Sequence, residues 1–401
     1  MQLRYLCRGM RVYPDSGSCA TLRKRLRNTA GLLQQALNAY LSGTPCHIEH
    51  VPLSCPPFAE MSEGCCLAPL FSALLPLQRL VALPLPSALP VKTWEKEEAL
   101  DEAGRVRKWS SALSECPESL VSLCKDQPGL FKELVEAGVP SDLRWEVWKA
   151  ALGGLRCGQG GQYQELLQKH SGWEPLIEKD SARTFLVLSV DDMGRHAHCL
   201  QNICKAYANL NPEIGYCQGM NFIVGLLLLV SDGAEEETFW VFAALMHDLE
   251  LSGLYAGGFP LLRRYMDGFG QLIAAVLPRH SLRLQAEDIH LEEFLQSWYL
   301  SLFVTCLPKA AVVEVWDEII CLSGLPSLVP LSVALLECVP IDSQMRVKLK
   351  SLNEVVASKA CAIAQFLRRR CREMMGQSQE LLSRSRPTVE SEKRKLSTDE
   401  H

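Results

Sequence analysis

The sequence predicts an all-α protein, and three observations carry that reading. Apolar residues recur at helical spacing in segment after segment between about residues 93 and 367. Strand-like alternation is nearly absent, and the run Phe185–Val190 is the one stretch that reads as a short strand. The helical segments differ from one another and follow no fixed period, which disfavours a repeat solenoid. The chain has 401 residues, 48% of them hydrophobic, enough for one large or two medium cores.

The elements follow in order. Trp94 to Trp109 is charged and helix-friendly. Gly129 to Ala137 reads as a short helix stopped by Gly138, with Pro140 just beyond. Ser141 or Asp142 is expected to cap the next helix, in which Leu143, Val147, Trp148, Ala151 and Leu152 share a buried face. Both Trp145 and Trp148 read as core residues. Leu200, Ile203, Tyr207 and Leu210 form one helical stripe, interrupted by Asn211, Pro212 and Glu213. The segment after Met220 is apolar on all sides, as a helix buried within a larger body would be, and Ser231 to Gly233 end it. Glu235, Glu236 and Glu237 then open another helix with acidic residues at its positive end. Further amphipathic stretches run over Leu261–Val276, Leu291–Val304, Lys309–Leu322 and Ser327–Cys338.

Both ends differ from this body. Residues 1–92 read as an irregular extension, apart from a helix around Thr21–Leu41, and Gly43 to Pro90 is rich in Pro, Ser, Leu and Cys. The apolar stretch Cys65–Val91 is long enough to span a membrane, but Pro69, Pro76, Pro84, Pro86 and Pro90 break a single helix. Residues 368–401 turn polar and read as a disordered tail. Arg368, Arg369, Arg370 and Arg372 cluster where the body ends. They suit either an anionic membrane surface, hence peripheral membrane association, or simply the dipole of a helix C-terminus.

The net charge of -5 speaks against nucleic acid as a partner. Residues 91–367 carry 24 Lys/Arg against 36 Asp/Glu, an acidic body between mildly basic ends. The 17 cysteines are odd in number and scattered, with no Cys-x-x-Cys pair, and Cys46, His47 and His50 have no matching half. No metal site and no disulfide framework is expected, and the cysteines read as small core residues of a reduced cytoplasmic protein.

Two short stretches carry chemistry. In the first, Ile177, Asp180, Arg183 and Thr184 stand at helical intervals. At 100° per residue Ile177, Asp180 and Thr184 fall within about 60° of one another, with Arg183 about 120° from Ile177. Ile177 can then anchor the turn while Arg183 projects outward. Asp180 is placed to accept hydrogen bonds from backbone donors or a basic side chain. In the second, Gly215 and Gly219 bracket Tyr216, Cys217 and Gln218. Glycines there let the backbone approach a ligand closely, and a neutral amide can both donate to and accept from a water. Cys217 as a nucleophile, with His196, His198 or His247 as base, is the rival reading. No Cys–His–Asn order supports it.

The order of segments resembles the TBC domain of Rab GTPase-activating proteins. Gly138, Val139 and Pro140 precede Leu143, Arg144 and Trp148. Ile177, Asp180, Arg183, Thr184 and Phe185 match the arginine motif, and Lys205 through Asn221 match the glutamine motif around Gln218. Phe239–Trp240, Trp298, Phe303, Leu307–Pro308 and Val315–Asp317 also fit. The resemblance covers about residues 130–340, and more weakly back to 93. It departs where Glu136–Ala137 stand before Gly138, and where the link from Phe185 to Leu200 is short and carries His196 and His198.

The resemblance implies a multi-helix body over 93–367 that is not itself an enzyme but supplies Arg183 and Gln218 in trans to a partner GTPase. Asp180, Ile177, Thr184, Tyr216, Gly215 and Gly219 would support the pair. The partner would be a Rab-type small GTPase carrying its own GTP and Mg²⁺, so no cofactor is needed here. The setting would be vesicle trafficking in the cytoplasm, peripheral on endomembranes. The alternative is a TBC-like scaffold that grips a GTPase without accelerating it.

Overall fold

The computed structural model describes residues 100–115, 119–153, 161–188, 194–357 and 360–384. No strand occurs among them, so the fold class is all-α. The N-terminal extension expected over 1–92, with Cys46, His47 and His50, lies outside the described residues.

Contacts divide the chain into two compact units. The described part of the larger lies within 100–277, 291–339 and 346–384 and holds Arg183, Gln218 and the residues expected to support them. The described part of the smaller comprises 278–290 and 340–345. There helix α11 (Pro278–Ala286) carries Arg283, which pairs with Glu287 and donates to the Asp342 carbonyl at 3.0 Å.

The larger unit opens with α1 (Glu102–Glu115), α2 (Leu120–Asp126), α3 (Pro128–Ala137) and α4 (Arg144–Ala151). Trp109, Leu123, Phe131, Leu134, Val135, Val139 and Val147 from these elements share one buried cluster. Trp148 is fully buried and Trp145 nearly so, as expected of core residues. The expected side-chain cap is not made. Ser141 starts a 3₁₀ turn (Ser141–Leu143), and its N–H and hydroxyl both donate to Glu102, so the Glu102 carboxylate does the capping from another helix.

Next come α5 (Gln162–Gln168), α6 (Glu174–Val187), α7 (Gly194–Leu210), α8 (Met220–Val230) and α9 (Glu235–Asp248). Helices α6, α7 and α8 pack on one another, and α9 packs on α7 and α8. The buried stripe Leu200, Ile203, Tyr207 and the all-round burial of Met220–Leu228 agree with the patterning. Phe185–Val187 does not form the expected strand. It is the last turn of α6, because Thr184 and Phe185 sit on a helical stripe that the core buries while Leu186 is 71% exposed. An unbroken apolar run hides that one-sided pattern.

Helices α10 (Pro260–Val276), α12 (Glu292–Leu300), α13 (Lys309–Glu318), α14 (Leu328–Glu337), α15 (Met345–Lys350), α16 (Leu352–Val356) and α17 (Ala360–Arg384) complete the chain. Helix α17 packs against α10, α13 and α14. It runs to Arg384, so the body does not end at 367 and the tail reading fails over 368–384. Cys371, Met374, Ser378 and Leu382 form its buried stripe. That stripe is narrow and interrupted by Ser378, and polar residues fill the rest of the segment, which is why the composition looked unfolded.

Helix α13 ties the ends of the larger unit to its middle. Its Glu314, Asp317 and Glu318 are all buried, and each meets arginines from elsewhere. Arg105 of α1 pairs with Glu314 at 3.0 Å, and Arg144 of α4 with Asp317 at 3.1 Å. Trp148 Nε1 adds a hydrogen bond to Asp317 at 2.8 Å. Arg368 and Arg372 of α17 meet Glu318 at 3.6 and 2.8 Å. Arg370 pairs with Glu337 and Arg369 with Glu373. The arginine cluster is therefore engaged with carboxylates. No described helix is long and apolar enough to cross a membrane.

Removing one member of a buried pair strands the other. Arg144→Met should lower unfolding free energy by about 3–5 kcal/mol in urea denaturation. Arg144→Met with Asp317→Leu should recover much of that loss. A single-variant cost under about 1 kcal/mol would mean that Asp317 finds other donors.

Candidate functional site

Helix α6 is fixed at its start by a local hydrogen-bond loop. The Ser171 N–H donates to Glu174 Oε1 at 2.9 Å, and the Trp173 N–H to Ser171 Oγ at 3.2 Å. Burial works the other way, but the Ser171 N–H holds the Glu174 carboxyl down at about 2. From there the helical period places Ile177, Asp180 and Thr184 inward, each essentially without exposure. Arg183 lies on the edge of that face, its side chain 43% exposed. The geometry expected from spacing is the one observed.

Asp180 is the junction. Its Oδ2 accepts from the Tyr216 hydroxyl at 2.9 Å. Its Oδ1 lies 2.8 Å from Arg183 Nη2, off the hydrogen-bonding direction, so that contact is an ion pair only. Arg183 Nε is shielded from solvent and has no hydrogen-bond partner. Burial, and then the acidic groups beside it, push the Tyr216 phenol far above its ordinary value, so it remains a donor to Asp180. A carboxylate inside α6 therefore holds the turn that carries Arg183 and the loop that carries Gln218.

A second path joins the same two segments. Thr184 Oγ1 donates to the Asp180 carbonyl at 2.8 Å and accepts from Asn221 Nδ2 at 2.8 Å. Asn221 Oδ1 accepts from the Gly219 N–H at 2.9 Å. Gln218, exposed, stands between the two tethered positions, Tyr216 and Gly219.

Both bracketing glycines are required. Gly215 has φ +63, and a Cβ there would lie 2.7 Å from the indole Nε1 of Trp173. Gly219 has φ +118, and a Cβ would lie 2.4 Å from the Leu300 carbonyl oxygen. That carbonyl is itself fixed by the Tyr255 hydroxyl at 2.7 Å. So the glycines serve close approach of protein to protein beneath the loop, which leaves Gln218 facing outward. Cys217 does not suit nucleophilic chemistry. Burial, with Asp180 nearby, pushes its thiol up, and its Sγ donates to the Gln218 carbonyl at 3.7 Å.

The helical body, the outward Arg183 and the braced Gln218 loop are the setting in which comparison with known proteins decides the family. The Rab-GTPase-TBC domain model matches residues 141–340. Human growth hormone-regulated TBC protein 1 is 31% identical, over 56% of this chain and 70% of that protein. The chain belongs to the Rab-GTPase-TBC domain family. Human ecotropic viral integration site 5 protein homolog is 35% identical over 51% of this chain, which spans only 25% of that relative's length. The crystal structure of the Chlamydomonas flagellar RabGAP TBC domain is 27% identical with a TM-score of 0.50. It covers 69% of this chain and 97% of its own.

Sequence reading of this TBC chain singled out Ile177, Asp180, Arg183, Thr184, Gly215, Tyr216, Gln218 and Gly219. The structure brings them together on α6 and the loop before α8. Asn221, Trp173 and Tyr255 also brace the site and were not expected from the sequence. A polar residue in the first turn of an otherwise apolar helix was a signal for Asn221. Nothing local marks Trp173 or Tyr255, whose partners are distant in the chain.

Tyr216→Phe keeps the ring and removes one donor from Asp180. The buried Oδ2 is then unsatisfied, at a cost of about 1–3 kcal/mol. Urea unfolding should show a loss in that range with an unchanged helical circular dichroism spectrum. No measurable loss would mean that water replaces the hydroxyl.

Proposed function

We propose that this chain is a GTPase-activating protein for Rab-type small GTPases, and that Arg183 and Gln218 are the residues it supplies. The observation that carries this reading is the joint tether at Asp180. An arginine, and the loop that carries a glutamine about 35 residues away, are held by one buried carboxylate, with Gln218 exposed and the Arg183 side chain 43% exposed.

The chemistry follows from what GTP hydrolysis lacks. Negative charge spreads over the transferred phosphoryl group in the transition state, and a water must be held in line with it. Arg183 offers a planar cation with donors not locked into hydrogen bonds, so its guanidinium can leave Asp180 for phosphate oxygens. Gln218 offers an amide that donates to and accepts from that water. Asp180 and Tyr216 position these groups without touching the nucleotide. GTP and Mg²⁺ come with the GTPase, so the chain needs no cofactor of its own. It accelerates its partner's turnover and has no substrate in isolation.

The role would be control of vesicle trafficking through the GTP-bound lifetime of the partner. The chain would act in the cytoplasm and meet endomembranes through the GTPase it serves. Arg368–Arg372 give little support to a membrane contact of its own, since their charges already face Glu318, Glu337, Glu373 and Glu136.

Single-turnover hydrolysis by a panel of GTP-loaded Rab proteins tests this. The chain should accelerate at least one of them, and Arg183→Ala should remove about 10³-fold or more of the acceleration. Arg183→Lys should fare little better, because a point charge lacks the fork. Acceleration that survives Arg183→Ala would sink the mechanism.

Gln218→Ala separates chemistry from grip. It should slow hydrolysis while leaving capture of a GDP–aluminium fluoride-loaded GTPase largely intact, since a water-orienting group acts mainly in the reacting complex. Capture without any acceleration by the unmodified chain would instead favour the scaffold alternative.

A further inference from the structure

Asp180 and Asn221 tie the Gln218 loop to α6, and a third support comes from a different element, the end of α12. The last carbonyls of a helix have no partner within it, so a buried one must find a donor elsewhere. Leu300 is the last residue of α12 and is buried. Its carbonyl accepts from the Tyr255 hydroxyl at 2.7 Å. A Cβ on Gly219 would collide with that same oxygen. One atom is thus shared. A phenol holds it, and the backbone next to Gln218 lies on it.

The chain beyond Leu300 is strained. Leu302 has φ +46 and Phe303 φ +67, two adjacent left-handed residues that both carry side chains. Such strain persists only where surrounding bonds over-determine the backbone, and it clusters at functional sites. Here the Phe303 N–H donates to the Trp298 carbonyl at 2.7 Å, and Trp316 Nε1 to the Leu302 carbonyl at 2.8 Å. Trp316 stands on α13 beside Asp317, the partner of Arg144. Tyr255 follows a 3₁₀ turn (Leu251–Leu254) and is buried. Burial, and then the Cys217 thiol beside it, push its phenol well above the ordinary value, so it stays protonated and donates.

We propose that Tyr255 is a positioning residue for Gln218, acting through the Leu300 carbonyl on which Gly219 lies. This deepens the reading of Gln218 given above and depends on it. Adjacent Cα atoms are about 3.8 Å apart, so a shift of Gly219 passes to Gln218 almost whole. Without the hydroxyl the Leu300 carbonyl loses its donor, and the strain in the turn gives it somewhere to go. A reacting group displaced by about 1 Å can lose about 10²-fold in rate. Arg183 takes its place from α6 and Asp180, so the seat acts on one of the two supplied groups and not on the other.

The full chain is assayed in single-turnover hydrolysis by the Rab panel, with its concentration varied to obtain a half-saturating concentration and a maximal rate. Tyr255→Phe should lower the maximal rate about tenfold or more and leave the half-saturating concentration within about threefold. In the Gln218→Ala background Tyr255→Phe should cost nothing further, since a residue that acts through Gln218 has nothing left to position. Gly219→Ala disturbs the same seat from the loop side and should show the same two results, which keeps the inference testable if Tyr255→Phe fails to fold. Tyr163→Phe is the control. It removes a buried hydroxyl that donates to Glu235 at 2.6 Å, and should lower the urea midpoint while leaving the maximal rate within about twofold. An unchanged maximal rate in Tyr255→Phe overturns the positioning role, and so does an equal loss, in either seat variant, with and without Gln218. A comparable loss in Tyr163→Phe overturns it too, because general loosening then explains the effect. An unmodified chain that accelerates no GTPase in the panel, or an unimpaired Gln218→Ala variant, overturns the reading of Gln218 itself. Neither of those results involves Tyr255, so the two failures are told apart.

Discussion

A buried carboxylate has to be answered, and Asp180 is answered by a cation on its own helix, Arg183, and by a hydroxyl donor thirty-six residues on, Tyr216. Leaving it alone in the core would cost several kcal/mol, so wherever the chain folds, Tyr216 and Arg183 are drawn to it. That requirement couples the loop before α8 to the middle of α6. Thr184 and Asn221 repeat the coupling with neutral groups one turn away. The Arg183 turn of α6 and the loop that carries Gln218 are therefore tied to one another from inside the core.

The same physics acts on a larger scale along α13. Glu314, Asp317 and Glu318 are three buried acids within two turns, and they collect arginines from α1, α4 and α17. Such pairs are weak sources of net stability but strong constraints on arrangement, since a misplaced helix would strand a charge. They tie the first and the last described helix each to α13. This is also where the arginines at the supposed body–tail junction find their role. Charges that look free in a sequence are often already committed in three dimensions.

Much of this was legible in the chain. Helical spacing located α3, α4, α7, α8, α9 and α10, because each has a wide apolar face and a Gly or Pro at its end. The angular argument on Ile177, Asp180, Thr184 and Arg183 held, since it needs only the helix period. What was not legible depended on distant partners. The last turn of α6 looked like a strand because Leu186 and Val187 are apolar yet face outward. The end of α17 looked unfolded because its buried stripe includes Ser378 and a cysteine. The cap expected at Ser141 gave way to Glu102, thirty-nine residues upstream. Trp173 and Tyr255 brace the site through contacts that no local pattern encodes.

The tether on Arg183 has a property that bears on how the site could work. Its contact with Asp180 is an ion pair on a half-exposed side chain without hydrogen-bond geometry, and its Nε has no partner. Tyr216, by contrast, makes a buried hydrogen bond to the same carboxylate. The two donors thus differ in how readily they let go. A doubly charged oxygen cluster brought to the surface of α6 would outcompete Asp180 for the guanidinium, while Tyr216 would keep the carboxylate satisfied. Arg183 can move without stranding Asp180, and the Gln218 loop stays braced as it does so. An arginine held loosely by a group that has a second donor is pre-oriented at little cost and released at little cost, and both are needed if it is to act only when a phosphate arrives.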